Sequence, residues 1–288
     1  MPLKTRWLSS CLLAFNGHAV LIDCGEGTQI AMKLSGQRFK SVDVICISHF
    51  HADHISGLPG FLLTMSNESR TEPVTIFGPK GIESTVRSLC VIAPNLPFAL
   101  RFVEYTPDAE IRLEEMVLRA FPLVHSVRCI GFCAELLRAG RFDMEKAQKH
   151  QVPMRLWKHL QKNRIIEQDG VVYTPDMVLG EPRKGLKVTY CTDTRPTGSI
   201  LRFAENADLF ICEGMFGDDA KLPRAKEAGH MLFSEAAHLA ADAGAVRLWL
   251  THYSPSLTEP ELYLQNAVSV FPPTELGFDG KTIDLQFP

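Results

Sequence analysis

Short apolar runs separated by glycine, proline or polar residues recur along this 288-residue chain. Two runs, residues 12–15 and 19–23, flank Asn16-Gly17, a pair typical of tight β-hairpin turns. Residues 44–47 predict a buried strand, because short β-branched runs bounded by polar residues suit the interior of a sheet. Similar runs predict further strands at residues 74–77, 186–191, 208–212 and 246–251.

Helical patterns and helix-start signals lie between these strands. They predict helices ending near residue 35, then at about 57–65, 79–91, 197–204, 233–243 and 259–270. Pro59 is expected to interrupt its helix early, whereas Pro79 is expected to open one. Residues 98–132 alternate over short distances, which is typical of a meander of strands. Together these elements predict an α/β protein with two sheets covered by helices on both faces.

The composition supports a sizeable core, since 45% of the residues are hydrophobic, and the net charge of -3 excludes a globally basic nucleic-acid binder. Positive charge is concentrated in residues 138–164, which we call the basic segment. It holds eight Lys and Arg against two acidic residues, a local net charge of +6. With Leu156, Trp157 and Leu160 interleaved, it fits either a solvated amphipathic helix packed on the body or an RNA-binding surface, and one helix could do both.

Targeting signals and paired cysteines are both missing from the sequence. No stretch reads as a signal peptide, and no apolar run approaches the ~18 residues of a membrane span, so a soluble cytoplasmic protein is expected. The eight cysteines fall mostly inside apolar runs without a Cys-x-x-Cys pair. They are therefore expected to be buried, reduced thiols.

Three histidines and a carboxylate follow the predicted strand at 44–47, namely His49, His51, Asp53 and His54. In an α/β sheet, ligand crevices open at the carboxyl ends of the strands. Imidazole and carboxylate groups are preferred ligands of Zn²⁺ and similar ions. A metal site explains this crowding better than packing alone.

Three more such residues directly follow apolar runs: His125, Asp193 and His252. Seven ligands are too many for one tetrahedral zinc and suit two ions that share a carboxylate. Two ions about 3.5 to 4 Å apart can lower the pKa of a bridging water and clamp both oxygens of a phosphodiester exchange.

The order His49-x-His51-x-Asp53-His54, His125, Asp193 and His252 resembles the metallo-β-lactamase superfamily. Longer phrases resemble its ribonuclease Z (tRNase Z) branch across essentially the whole chain: Asp23-Cys24-Gly25-Glu26-Gly27, Gly57-Leu58-Pro59-Gly60, Phe77-Gly78-Pro79-Lys80-Gly81, Asp193-Thr194-Arg195-Pro196 and Thr251-His252-Tyr253-Ser254. The resemblance implies a four-layer αββα sandwich with mixed sheets and the metals at one edge between them. It also implies a single domain, residues 1–288, with a basic helical insertion at about 138–185.

The resemblance also assigns roles to the site residues. His49, His51 and His125 are expected to hold one ion, Asp53, His54 and His252 the other, and Asp193 to bridge them. The two divalent ions are expected to be Zn²⁺, with Mn²⁺ or Fe²⁺ as alternatives. Asp53 is expected to act as general base, while Glu213 and His230 relay a proton to the leaving oxygen. No residues for an organic cofactor are predicted.

The implied function is a dinuclear zinc phosphodiesterase that removes the 3′ trailer of tRNA precursors by means of a metal-bridged hydroxide. A cytoplasmic homodimer that binds a tRNA precursor, without membrane contact, is expected. Two alternatives remain open. One is a metal-dependent hydrolase of the same superfamily that acts on a small phosphodiester or ester. The other is a non-catalytic, metal-containing module that binds RNA or protein.

Several departures from the family pattern keep these alternatives open. Cys212-Glu213-Gly214-Met215 and Gly229-His230-Met231-Leu232 replace the family phrases His-Glu-Ala-Thr and Gly-His-Ser-Thr. Ser256 replaces an arginine that could contact phosphate, and the basic segment lacks the Gly-Pro signature of the family's tRNA-binding arm. The sequence starts at Met1-Pro2-Leu3, just past the family's opening strand. Either the start is displaced or that strand is missing, which would expose a sheet edge.

Overall fold

The computed structural model describes residues 3–4 and 6–288. Met1 and Pro2, at which the question of the opening strand arises, lie outside the described residues. The chain divides into two compact units. The larger comprises the chain up to Ile111 with Leu118–Ala134 and Lys187–Asp284, and the smaller comprises Arg112–Val117, Glu135–Leu186 and Leu285–Pro288.

The first sheet has five strands in sequence order. They are β1 (Cys11–Phe15), β2 (His18–Ile22), β3 (Val42–Cys46), β4 (Val74–Gly78) and β5 (Leu100–Glu104). The predicted hairpin is confirmed, because β1 and β2 are antiparallel and Asn16-Gly17 takes positive φ angles at the turn. The other pairings are parallel. Since β5 pairs in parallel with β4, the prediction that it begins a meander is wrong.

The second sheet has seven strands in the order β14-β13-β12-β11-β8-β7-β6, and a separate antiparallel pair is formed by β9 and β10. These strands are β6 (Glu110–Leu113), β7 (Met116–Leu123), β8 (Cys129–Arg138), β9 (Ile166–Gln168), β10 (Val171–Tyr173), β11 (Arg183–Cys191), β12 (Leu209–Glu213), β13 (Leu248–Thr251) and β14 (Thr274–Leu276). Strands β11 to β14 are parallel, so their carboxyl ends share one edge.

Ten α-helices cover the described residues: α1 (Thr28–Leu34), α2 (Ala52–Ile55), α3 (Leu58–Asn67), α4 (Ile82–Leu89), α5 (Met144–Lys149), α6 (Met154–Leu160), α7 (Gly198–Ala204), α8 (Leu222–Ala228), α9 (Phe233–Asp242) and α10 (Leu264–Val268). Pro59 does not interrupt α3, because in the first turn its missing N–H breaks no helical hydrogen bond. Pro79 does not open α4, which begins after Gly81. The basic segment contains two helices, α5 and α6, instead of one.

Each unit has apolar cores of its own. In the larger unit one cluster includes Phe39 and Phe61, and another includes Phe121 and Phe210. The smaller unit has a modest cluster around Leu160. All eight cysteines are free thiols, and seven of them are buried, which confirms that prediction. Within the described part of the chain, no helix is long and apolar enough to span a bilayer.

Candidate metal centre

The seven predicted ligands all lie in the larger unit, and each comes after a strand. His49 and His51 lie in the loop after β3, while Asp53 and His54 lie in the short helix α2 that continues it. The remaining three ligands come two residues after β7, two residues after β11 and directly after β13: His125, Asp193 and His252. Because β11 and β13 belong to the same parallel set, their ends deliver two of these ligands to one edge.

Four of the ligands form a first group. One donor atom from each of His49, His51, His125 and Asp193 lies within 4.8 Å of all the others. Asp193 Oδ2 is 3.5 Å from His49 Nε2 and 3.6 Å from His125 Nε2. His51 Nδ1 is 3.4 Å from His125 Nε2. The nitrogens therefore converge on one carboxylate oxygen.

The other three ligands form a second group beside it. Donor atoms of Asp53, His54 and His252 also lie within 4.8 Å of one another. Here the second oxygen of Asp193, Oδ1, is 3.1 Å from His252 Nε2 and 3.4 Å from His54 Nε2. The two oxygens of Asp193 thus face one group each, which is the arrangement a bridging carboxylate requires.

The hydrogen bonding of the His49 ring shows whether these residues suit a metal cation. Ser48 Oγ donates its proton to Asp23 Oδ2 at 2.9 Å, so it accepts from His49 Nδ1–H at 3.0 Å. This tautomer leaves His49 Nε2 as a bare acceptor. That Nε2 is buried, and no group in the described residues hydrogen-bonds to it. An unpaired buried polar atom costs about 1 to 3 kcal/mol, so a ligated cation would relieve a real cost. With imidazole and carboxylate donors around it, this is a divalent metal site.

The electrostatics of the cluster point the same way. Burial, with His54 nearby, lowers the pKa of His49 to about 2. Burial opposes charge on His54 as well, but the carboxylates of Asp23 and Asp193 outweigh it and raise its pKa to about 10. Burial likewise opposes charge on Asp193, yet the imidazoles of His252 and His54 hold its pKa well below the usual range. His49 is therefore kept neutral and Asp193 ionised, which are the protonation states in which these side chains bind a metal.

Asp23 supports the centre, and the sequence analysis missed that role. It is fully buried directly after β2, at a φ of 58°, and its Oδ1 accepts from the Ser48 N–H at 2.8 Å. Its Oδ2 accepts from His54 Nδ1 at 2.8 Å, so the carboxylate fixes the tautomer that aims Nε2 at the centre. The available signal was a carboxylate at the end of an apolar strand, the same signal that identified Asp193.

Glu213 and His230 lie together at the edge of the second group. Glu213 is fully buried, and its carboxylate accepts from the N–H groups of Thr194 at 2.5 Å and Met231 at 3.1 Å. His230 Nδ1 donates to the same carboxylate at 3.1 Å, leaving Nε2 free for other partners. Burial opposes charge on His230, but its hydrogen bond to Glu213 raises its pKa. Its ring stacks on that of His252, with centroids 5.8 Å apart.

Two mixed sheets with helices and a His/Asp centre at the strand ends define a protein of the metallo-β-lactamase fold. Residues 177–253 match the family described as the Beta-lactamase superfamily domain, and residues 3–92 match Anti-Pycsar protein Apyc1. The crystal structure of the short form of human tRNase Z superimposes with a TM-score of 0.70 at 25% identity, over 99% of this chain and 95% of that one. A metallo-β-lactamase-fold protein of Bacillus subtilis gives 0.68 at 21% identity, over 97% and 92% of the two chains. The predicted fold class is thus confirmed.

Curated relatives are more specific about the family. A Ribonuclease Z of Lachnoclostridium phytofermentans is 53% identical over 288 residues, which are 100% of this chain and 95% of that protein. A Ribonuclease Z of Clostridioides difficile is 46% identical over 292 residues, with the same coverage of both chains. This chain belongs to the ribonuclease Z family, and that resemblance in the sequence is confirmed.

Proposed function

We propose that this chain is a metal-dependent endoribonuclease that removes the 3′ trailer of tRNA precursors. Full-length similarity to Ribonuclease Z proteins supports the reaction and the substrate. The observation that carries the proposal is the gathering of seven donor residues into two adjacent groups around the Asp193 carboxylate, with the Glu213–His230 pair beside them. Phosphodiester hydrolysis needs an activated water and a proton for the leaving oxygen, and this cluster contains groups suited to both tasks.

We further propose that the centre holds two ions, both Zn²⁺. His49, His51 and His125 would hold one, Asp53, His54 and His252 the other, and both would share Asp193. The separate faces of the Asp193 carboxylate support this division. When bound, such ions lower the pKa of water and neutralise negative charge on a phosphate.

The chain's own acid and base groups have distinct tasks in this proposal. Asp53 is 35% exposed, so it can meet solvent and substrate. Burial opposes its ionisation, but the hydrogen bond to His252 and the charge of His54 lower its pKa, which keeps it in the carboxylate form that a base requires. Glu213 holds His230 by Nδ1 and thereby leaves Nε2 to donate a proton to the leaving oxygen.

We propose that the basic segment contacts the RNA. Arg155 and Lys158 are exposed on α6, whereas Leu156 and Leu160 of the same helix are buried in the core of the smaller unit. The segment therefore has both a packed face and a charged face, as its sequence suggested. Phosphate contacts made by the charged face would add salt-dependent affinity. The insertion at about 138–185 in a single domain stays a prediction.

The expected cytoplasmic homodimer is also part of this proposal. Family resemblance is its support, and light scattering of the purified, metal-loaded protein measures the oligomeric state directly. The expected result is a mass of two chains. A mass of one chain would refute the dimer and would leave the proposed reaction unaffected.

The central experiment incubates purified, zinc-loaded protein with a 3′-extended tRNA and with bis(p-nitrophenyl) phosphate. Cleavage of the RNA on the 3′ side of the acceptor stem is the expected result, with metal analysis of the protein as purified giving two zinc ions. Hydrolysis of the small ester alone would select the small-substrate alternative. Failure on both substrates, with RNA binding retained, would select the non-catalytic module.

A further inference from the structure

Arg195, two residues after Asp193, makes contacts that neither the metal centre nor the proton relay requires. Its guanidinium donates to both carboxylate oxygens of Glu235, with Nη1 to Oε2 at 2.8 Å, and Nη1 also donates to the backbone carbonyl of His230. The side chains of Arg195 and Glu235 are only 18% and 20% exposed. Bidentate, charge-assisted pairs that are shielded from water are the strong members of their class.

Glu235 is itself fixed at the start of α9. Its Oε2 accepts from the Leu232 N–H at 3.0 Å, so the Glu235 carboxylate satisfies one of the free N–H groups at the first turn of the helix. The Arg195–Glu235 pair, which we call the clamp, therefore grips the segment 230–232 at both ends. It holds the carbonyl of the first residue and the N–H of the last.

The loop that carries Asp193 and Arg195 also forms hydrogen bonds near another ligand of the centre. The Arg195 N–H donates to the Val124 carbonyl at 3.0 Å, and the Val124 N–H donates to Thr194 Oγ1 at 3.0 Å. Val124 immediately precedes the ligand His125. The loop that carries Asp193 is thus hydrogen-bonded to the segment before His125 and, through Arg195, to the backbone of His230.

Gly229 ends α8 immediately before His230. Its φ of 73° is in the left-handed region, and a Cβ there would lie 3.2 Å from His125 Nδ1. The His230 N–H that follows donates to the Ala225 carbonyl at 2.9 Å, as is typical of a helix that ends in a left-handed glycine. Glu213 fixes the imidazole through Nδ1, but the direction of Nε2 also depends on the backbone to which the ring is attached.

We propose that Arg195, braced by Glu235, is a positioning residue that holds the backbone of His230 so that its Nε2 faces the leaving oxygen. This inference rests on the proposed function, because it concerns the proton that His230 supplies. It assigns to Arg195 no contact with substrate and no role in holding metal.

The test exploits the leaving group. An RNA alkoxide needs a proton as it departs, whereas p-nitrophenolate leaves without one. Arg195→Gln should lower kcat on 3′-extended tRNA by about 10-fold to 100-fold, the loss expected for a charge-assisted hydrogen bond, with KM unchanged. On bis(p-nitrophenyl) phosphate the loss should stay below about 3-fold, because proton donation contributes little there. Glu235→Gln should show the same split, and Arg195→Lys should recover part of the kcat.

The matched control is the more exposed Arg247–Glu275 ion pair, with a separation of 2.9 Å. Arg247→Gln should leave both kcat values unchanged. Equal losses on the two substrates in Arg195→Gln would indicate general damage and overturn the proposal. A rise in KM for RNA alone would indicate direct substrate contact and would also overturn it.

Amide hydrogen exchange separates this inference from the proposed function, since it needs no RNA. In zinc-loaded Arg195→Gln, the amides of residues 230–232 should exchange at least about 10-fold faster than in Arg247→Gln, because local opening becomes easier. Unchanged exchange in this segment would refute the clamp. A wild-type protein that fails to cut tRNA but shows faster exchange in Arg195→Gln would refute the proposed function and still support the clamp's hold on the backbone.

Discussion

The metal centre and the basic segment both carry residues that a nuclease needs, but they are built in opposite ways. In the centre, His49, His54 and Asp193 are almost completely buried, and each histidine is fixed by a defined partner. In the basic segment, Arg155 and Lys158 are exposed, and only the opposite face of their helix is packed. The function of the metal centre depends on the exact positions of its side chains, whereas that of the basic segment depends on its amount of positive charge.

This difference has energetic consequences. A buried polar group that loses its partner suffers the full cost of desolvation, so effects in the centre should be large and cooperative. Exposed charges are screened by salt and individually contribute little, so effects in the basic segment should be small, additive and dependent on ionic strength.

Asp53→Ala should have the largest effect, because the carboxylate is both a predicted ligand and the predicted base. We expect kcat on 3′-extended tRNA to fall by about 10⁴-fold, the upper end for loss of a general base. RNA binding, measured by filter retention, should change little because the basic segment is intact. If Asp53→Ala kept both turnover and RNA binding, the centre would not be catalytic, and a non-catalytic binding module would be favoured.

Leu160→Ala should come next, and it probes the packed face of the basic segment. Leu160 is fully buried in the small core of the smaller unit, and such truncations cost about 2 to 5 kcal/mol. Hydrogen exchange and limited proteolysis should show loosening within residues 135–186. Metal content should not change, because all seven predicted ligands belong to the larger unit. Ile165→Ala, at a position 69% exposed, is the control, and metal loss in Leu160→Ala would contradict the contrast.

The contrast also explains which features the sequence revealed. Ligands such as His49 and Asp193 stand directly after apolar strands, so a local pattern locates them, and parallel strand ends bring them to one edge. Asp23 has the same local signal, but its role appears only when His54 and Ser48 are placed around it in space. The clamp was also missed, because Arg195 and Glu235 are 40 residues apart and neither follows a recognisable ligand pattern.

Errors in the predicted fold have related causes. A short alternating run predicts a strand but does not show which sheet that strand joins. For this reason β5 was predicted to begin a meander, although it pairs in parallel with β4. Three-residue strands such as β9 and β14 are too short to show a period. Proline positions were judged from the residue alone, whereas its effect depends on the turn of the helix in which it falls.

Asp23→Asn should have a moderate effect within the centre. Asparagine keeps the size of the side chain but replaces a charged acceptor for His54 by a neutral amide. Loss of such a partner typically costs about 10-fold to 100-fold in metal affinity, which competition with a chromogenic chelator can measure. Asp43→Asn is a matched control, since Asp43 makes the same bond to His18, at 2.6 Å, but in a more exposed place. Equal affinity in the two variants would show that Asp23 does not tune the metal.

The smallest effect is expected in the basic segment, from Arg155→Gln combined with Lys158→Gln. Removing two phosphate contacts should raise KM for tRNA several-fold at low salt and leave kcat unchanged. The slope of log affinity against log salt should become shallower by about 1.4 to 1.8, since each contact contributes about 0.7 to 0.9. Lys33→Gln with Arg38→Gln removes the same charge from exposed positions outside the segment.

The control pair decides what such a change means. If both double variants weakened binding equally, the RNA would be responding to overall charge, and the segment would have no special role. If only the segment variant lost RNA affinity, and this loss grew as salt was lowered, the RNA phosphates would instead be bound by the exposed face of α6. A change in kcat would be the unexpected outcome, because it would make an exposed charged surface behave like the buried centre.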